Sequence, residues 1–518
     1  MGVTRREFVG AMLGASALYA CRGKDRHLPP GTLAMPGMQR AHSQIRDGHL
    51  VTPHAWRTHD VVIVGGGVAG LGAAWQLRKL GVKDVVVLEL DDVFGGTARG
   101  GESSVTPYPW GAHYIVAPQA EQVELTALLQ EMNAIEGIAA DGSPIVDEAL
   151  RCREPEERVW YMGRWWEGLY LDAGASPTDR AQLAKFRAEI DTWSAWRDAQ
   201  GRRAFAIPRS RGTDDLAVLA LDRISFAQWL DERGLKSPRL RWLTDYACRD
   251  DYALTAAETS AWAGLFYFAA RQKGPGLASQ TVITWPNGNG ALVAQLAKTA
   301  RIEKNVVVQQ VTPAGDVIAN GPDGPFGIHA RSVIVATPSF VANRIAPARA
   351  LGTADYGSWV VANVHLRERP HERGEGAPPA WDNVFRDSMS LGFVSATHQR
   401  GRDRGPTVWT WYYPFSDADP AVVRKRLAGA GYEEWAETIC VDLEAAYPEI
   451  RTLIDHIEVT FWGHGMIRPR IGAACGAERL ARIAANGAIH YAHTDLSGLA
   501  LFEEAFDHGL RAAREIAG

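Results

Sequence analysis

The chain has 518 residues, 46% hydrophobic and 22% charged, with a net charge of −5. That is material for about two to four folded domains, and the composition excludes a disordered or fibrous chain. The small negative charge excludes a nucleic-acid partner held by bulk positive charge, and no apolar run reaches the roughly 18 residues of a spanning helix.

In chain order, Thr4-Arg5-Arg6-Glu7-Phe8-Val9 leads into an apolar run from Ala11 to Ala20, and a small residue precedes Cys21. Charged head, short apolar stretch and small residue read as a targeting segment rather than a fold element. The arginine pair resembles a twin-arginine export signal, and Leu18-Tyr19-Ala20-Cys21 resembles a lipobox. The resemblance implies passage through the twin-arginine machinery, which carries folded proteins, to the periplasm or cell envelope. Lipidation of Cys21 would add a membrane anchor; the bland alternative is an unstructured N-terminus with a chance pair of arginines. Residues 22–58, with Pro29-Pro30-Gly31 and Pro36-Gly37 and no clear periodicity, are expected to be a flexible tether.

Val61-Val62-Ile63-Val64 is a β-branched run suited to a buried parallel strand. Gly65-Gly66-Gly67-Val68-Ala69-Gly70 follows and matches GxGxxG. Gly65 permits the tight turn, Gly67 lets the backbone approach a pyrophosphate, and Gly70 allows close packing of helix on strand. The helix is expected from about Gly70 to Leu80, its free N–H groups facing phosphate. Val85 to Leu88 makes a second strand, and Glu89 stands 19 residues past Gly70, where a carboxylate would accept hydrogen bonds from an adenosine ribose. Strand, glycines, helix, strand and acid in that order predict an α/β Rossmann-like domain.

Phe94-Gly95-Gly96-Thr97-Ala98-Arg99 comes next, and with Glu89 it resembles the acid-to-double-glycine stretch of the flavin amine oxidase superfamily, which also holds phytoene desaturases and protoporphyrinogen oxidases. The family has arginine directly after the double glycine; here that place is Thr97, with Arg99 two residues later and expected to reach the same phosphates. Four more segments are similar, so the likeness spans about residues 58–518. Pro109 to Ile115 resembles the turn that passes the flavin ring, implying contacts from Gly111 and Ala112. Trp285 to Lys298 resembles a helix start. Asn305 to Val311, then Arg331 to Pro338, resembles the strand pair whose backbone at Val311 faces adenine. Ala488 to Ile516 resembles the closing segment, in which Asp495 contacts flavin phosphate or ribitol and Phe502 begins a helix at the pyrimidine end.

The resemblance implies FAD, assembled into a discontinuous domain of residues 59–150, 276–346 and 461–518. It implies an α+β substrate domain with a mixed sheet from residues 151–275 and 347–460, the signal being residues 1–21. No cysteine matches the flavin-linking position, so the FAD is expected to be non-covalent. The five cysteines show no CxxC or CxH spacing, so neither a metal site nor a disulfide framework is expected from them.

A flavin oxidant takes a hydride from a carbon held over it in a dry pocket. Many amine oxidases of this family place a lysine near the ring, on a strand that matches Ser358 to Leu366. No lysine occurs there; Val361 or Asn363 holds the place, which puts reaction with O₂ in question. The family's helix-start aromatic corresponds to Leu501, and its partner falls at Trp462 or His464, so the aromatic cage is differently built. His113, Asn363, Trp462 and His464 are the candidate catalytic or cavity-lining groups, against the alternative of satisfied structural side chains. Asp250 and Asp251 could bind a cationic substrate, though paired carboxylates are more often a solvated face. The leading expectation is an FAD-dependent oxidoreductase of a small-molecule amine, polyamines included, with O₂ or a membrane acceptor reoxidising the flavin. The alternatives are a desaturase or isomerase of a hydrophobic C–C substrate, and a non-catalytic flavoprotein of an envelope complex.

Overall fold

The run Val61–Val64 ends a strand, Trp56–Val64, whose last four residues are fully or almost fully buried. Strands Val85–Leu88 and Gly324–Val335 flank it in parallel, with Val61 opposite both Val85 and Ser332. A parallel strand covered on both faces must be apolar along its length, as this one is. In this computed structural model, residues 27–274, 276, 281–352, 354–372, 376–473 and 482–518 are described. The export segment, Cys21 and Cys475 lie outside them.

Among the described residues the first large sheet runs Ile302–Glu303, Val85–Leu88, Trp56–Val64, Gly324–Val335, Asp316–Gly321, Val307–Val311, and Ile489–Tyr491 also pairs with Gly324–Val335. Helix Val68–Lys79 covers it and packs on the C-terminal helix Phe502–Ala517. The two approach so closely that a Cβ on Gly509 would stand 2.2 Å from the carbonyl oxygen of Ala69.

The second sheet has eight strands among the described residues: Gly31–Ala34, Ile454–Ile467, Tyr356–Leu366, Thr407–Pro414, Gly392–Ser395, Asp382–Phe385, Glu157–Tyr161 and Arg164–Glu167. Tyr356–Leu366 is its third strand, antiparallel to both neighbours, with Val361 opposite Tyr412 and Thr460. Alternation along this strand divides its work. Val360, Ala362, Val364 and Leu366 pack with Val423, Leu427, Trp435 and Leu443 of helices Pro420–Gly429 and Tyr432–Glu444. Trp359 and Val361 pack on the other side with Tyr412 and Trp462. A helical layer completes this half: Pro177–Ala195, started by a Ser176–Asp179 capping box, then Phe226–Glu232, Pro238–Tyr252 and Ala261–Ala269.

Two expectations are corrected. Residues 27–58 are not a tether. Gly31–Ala34 adds in parallel to Ile454–Ile467 as a short outermost strand of the second sheet, and a helical turn follows at Met38–Ala41. Arg40 then bonds Asn305 Oδ1 at 2.7 Å, tying the segment to the first sheet. The boundary at residue 460 is also misplaced. Ile454–Ile467 is one strand, so residues 461–467 belong to the second sheet, where Tyr356 pairs with Ile467. The Gly463-His464-Gly465 stretch reads as a break in sequence; in the strand it is a bulge, between Trp462 opposite Trp359 and Met466 opposite Gly357, after which the pairing resumes.

Candidate active site

A cavity of about 460 Å³ lies between the two sheets and is lined from both. At one end it meets the glycine-rich turn. Gly65 adopts φ +105°, which a side chain would strain, and its would-be Cβ sits 2.8 Å from Ala336 O. Gly70 is closed off by the Gly65 carbonyl, 2.0 Å from its would-be Cβ. Gly67 is the opposite case: a Cβ there would meet nothing within 4 Å, because it would point into the cavity. A cradle of backbone at a helix N-terminus, open only where a Cβ would stand, fits a pyrophosphate. Gly95 N–H donates to Gly66 O at 2.7 Å, fastening the double glycine to this turn.

Glu89 ends its strand at the same place. Its Oε2 accepts the Gly66 N–H at 2.7 Å and its Oε1 the Asp91 N–H at 2.9 Å. Burial raises its carboxyl, opposed by those two N–H groups. Arg99 lines the cavity but is already engaged: it donates to Gly96 O at 2.9 Å and pairs with Asp91 at 3.1 Å. Pro36 and Gly37 also line this end, a contribution of the N-terminal segment that its loop-like sequence hid.

Val311 does not reach the cavity. It ends Val307–Val311 among the buried residues of the first core. The backbone beside Glu89 is at the other end of that stretch: Val306 N–H donates to Glu89 O at 2.8 Å and Asn305 N–H to Asp91 O at 3.1 Å. The strand is met by its beginning, so a count along the resemblance landed at the wrong end.

Gly111 and Ala112 form a cavity-lining turn, pinned by Ala112 N–H to Thr97 O at 3.1 Å and by Asn289 N–H to Ala112 O at 3.1 Å. Asp495 is buried and accepts the Ser339 N–H at 2.7 Å and the Tyr356 hydroxyl. Burial alone would raise its carboxyl; His493, 2.9 Å away, and these bonds hold it down to about 2. Phe502 opens the last helix at the cavity wall.

At the other end the walls change character. Tyr114, Trp359, Tyr412 and Trp462 supply rings, and Ile207, Val361 and Leu501 supply aliphatic surface. His113 Nδ1 lies 2.9 Å from Tyr412 Oη and 3.2 Å from Gly111 O, with its ring stacked on Tyr412. Burial lowers it to about 4, so it is neutral at pH 7. Trp462 donates Nε1–H to Trp110 O at 2.9 Å. His464 also lines the cavity and is lowered to about 4, chiefly by burial, but it stacks on Phe340 and abuts Tyr356, the donor to Asp495. It thus joins the Asp495 group rather than the His113 group. Asn363 is not on the cavity. It is buried two residues beyond Val361 and accepts the Thr410 hydroxyl at 2.9 Å; Val361 holds the wall position.

The group that sequence reasoning undervalued is acidic. Asp250 and Asp251 end helix Pro238–Tyr252 and line the cavity together with Glu503. They are not a solvated face, since Asp251 is only 8% exposed. Arg271 bonds Asp251 at 2.7 Å. Burial, then the neighbouring Asp251 charge, raises Asp250, and burial raises Glu503 to about 7. Behind them Glu157 and Asp382 are also raised, chiefly by burial. No lysine lines the cavity among the described residues, and its two arginines are both paired. Tyr412, Trp359 and Arg271 could have been found only from alternation within Thr407–Pro414 and from knowing which helix ends meet the sheet.

The model of the "Flavin containing amine oxidoreductase" family matches residues 68–517. A probable flavin-containing monoamine oxidase A of Dictyostelium discoideum is 27% identical over 203 residues, 39% of each chain. The chain thus spans well under half the length of that relative. In fold it resembles putrescine oxidase bound to putrescine, at TM-score 0.64 and 18% identity over 89% of this chain and 99% of that one. It also resembles a fatty acid isomerase of P. acnes, at TM-score 0.60 and 15% identity over 88% and 98%. With a match over most of its length, and a cavity whose glycine turn and Glu89 fit a dinucleotide, the chain belongs to the flavin-containing amine oxidoreductase family, whose cofactor is FAD.

Proposed function

We propose that this protein oxidises a small amine, and the acidic wall of Asp250, Asp251 and Glu503 is the observation that carries the reading. With one cation, Arg271, among them, the balance of charge favours an ammonium ligand. An isolated buried carboxylate is costly, so acids kept at a cavity wall imply a positive partner. The four rings exclude water and hold an alkyl chain beside the flavin-facing turn. Asp250, raised by burial, is suited to take the proton that an ammonium must lose before its C–H bond can be broken. FAD bound at the glycine turn supplies the two-electron acceptor for that hydride. Neutral His113, held by Tyr412, contributes position rather than charge. The FAD is proposed to be non-covalent, which yellow colour left in an acid-precipitated pellet would disprove.

The second reading, a desaturase or isomerase of an apolar substrate, is favoured by the aliphatic Val361 and Leu501 on the wall. Export to the cell envelope is proposed from the Arg5-Arg6 pair, with Cys21 as the anchoring residue if it is lipidated; replacing both arginines by lysine should leave the protein in the cytoplasm. The deciding experiment is anaerobic titration of the holoenzyme with mono-, di- and polyamines, following the flavin band at about 450 nm. Bleaching by one amine class supports the reading, and the rate of return in air separates O₂ from another acceptor. A flavin that stays oxidised against every amine and bleaches or turns over with an alkene refutes it.

A further inference from the structure

Away from the cavity, on the same side of the second sheet, His365, His456 and Glu458 converge. Their ligand atoms lie within 4.8 Å of one another. Cross-strand pairing brings them together: His365 stands opposite His456, and Glu458 opposite Asn363 on the same sheet face. His365 is 5% exposed, and its Nε2 has no hydrogen-bond partner, lying 3.7 Å from Glu458 Oε2. A buried ring nitrogen left open beside a second imidazole and a carboxylate calls for a partner. Surrounding groups already hold two of the three, and the His365 ring stacks on His456 at 3.9 Å, so convergence on one ion turns these rings apart. Asp455 Oδ2 sits 2.9 Å from His456 Nδ1, the carboxylate contact that frees Nε2 as a ligand, and Tyr108 donates its hydroxyl to Glu458 at 2.6 Å. His456 and Glu458 are partly exposed, which leaves a route for an ion and room for water as a further ligand.

We propose that His365, His456 and Glu458 form a binding site for a divalent transition-metal ion of the zinc class. Two imidazoles and one carboxylate with an open position suit such an ion. Ligands on tetrahedral zinc stand roughly 3.4 Å apart for bonds of about 2.1 Å, so binding draws these donors inward by side-chain rotation. The ion would join the two strands and, through Tyr108 on Glu458, fasten the Tyr108–Trp110 stretch that leads into the Gly111 turn. This site does not depend on which substrate is oxidised.

The test uses tag-free holoenzyme stripped with EDTA and titrated with Zn²⁺ by calorimetry, then with Co²⁺ by its visible absorbance. About one ion per chain is expected, with affinity weakened about 100-fold in His456→Ala and in Glu458→Gln. A control variant, His490→Ala, removes another histidine–carboxylate pair, His490–Glu515, and is expected to bind normally. If His456→Ala fails to fold, the half-exposed Glu458→Gln gives the same reading. Absence of binding, binding unchanged in both site variants, or binding lost only in His490→Ala overturns the site.

Discussion

The two ends of the cavity are built on different principles. The nucleotide end is made of backbone: Gly67 with open space, Gly65 at positive φ, the Gly66 and Asp91 N–H groups on Glu89. The substrate end is made of side chains that arrive from separate places, Asp250 from a helix end, Tyr412 and Val361 from paired strands, Glu503 from the last helix. Backbone sites tolerate little change and are local. A side-chain site can be re-specified one residue at a time, except where a side chain also pairs a buried charge, as Asp251 does with Arg271.

The sharpest way to break this contrast is at the glycines. Gly67→Val places its side chain in the cavity and should leave a folded but colourless protein, with FAD affinity down about 100-fold or roughly 2.7 kcal/mol. Gly70→Val meets the Gly65 carbonyl and should instead lower the melting temperature, at a cost of roughly 3 kcal/mol or more. Flavin absorbance and thermal denaturation read the two effects separately. If both variants merely unfold, the nucleotide end is not an open cradle.

At the substrate end Asp250→Asn should keep its flavin and lose about 100-fold in kcat/KM for the amine, roughly 2.7 kcal/mol. Asp251→Asn should behave differently, because it leaves Arg271 buried and unpaired, and such a break costs about 3–5 kcal/mol of stability. Equal kinetic and stability losses in the two variants would remove the distinction between ligand-binding and structural acid.

These differences explain what was legible. Strand, glycines, helix and Glu89 follow one another within about thirty residues, so the nucleotide end could be read directly, as could the α/β fold. Arg99 lines the cavity near the expected place, with Nε on Gly96 O and one Nη on Asp91, so its side-chain partners could be read only from the structure. Val361 against Asn363 could not be separated without register, since both face the same side and only distance along the strand decides. Residues 27–46 looked like linker because a four-residue edge strand carries almost no periodic signal, yet they pair with Ile454–Ile467 and line the nucleotide end. Removing residues 1–46 should therefore speed FAD loss about 10-fold, read by flavin release on dilution, whereas removing 1–26 should not.

pH offers a milder test of the substrate end. Glu503 has a folded value of about 7 against an ordinary 4.5, raised by burial. Between those values the unfolded chain holds fewer protons than the folded one, so this group's contribution to stability falls as pH rises through the window. The proposed amine recognition runs the other way. Below about pH 7 Glu503 is neutral, and Asp250, also raised, is partly so; the attraction for an ammonium weakens. kcat/KM should thus rise with pH up to about 7–8, and Glu503→Gln should flatten that limb by several-fold while leaving the flavin spectrum unchanged. Asp495, held down to about 2, and His113, neutral above about 4, do not titrate in this range and cannot supply the limb. A rise that persists unaltered in both Glu503→Gln and Asp250→Asn would belong to another group, such as the raised Glu157 behind the wall, and Glu503 and Asp250 would then not govern amine recognition.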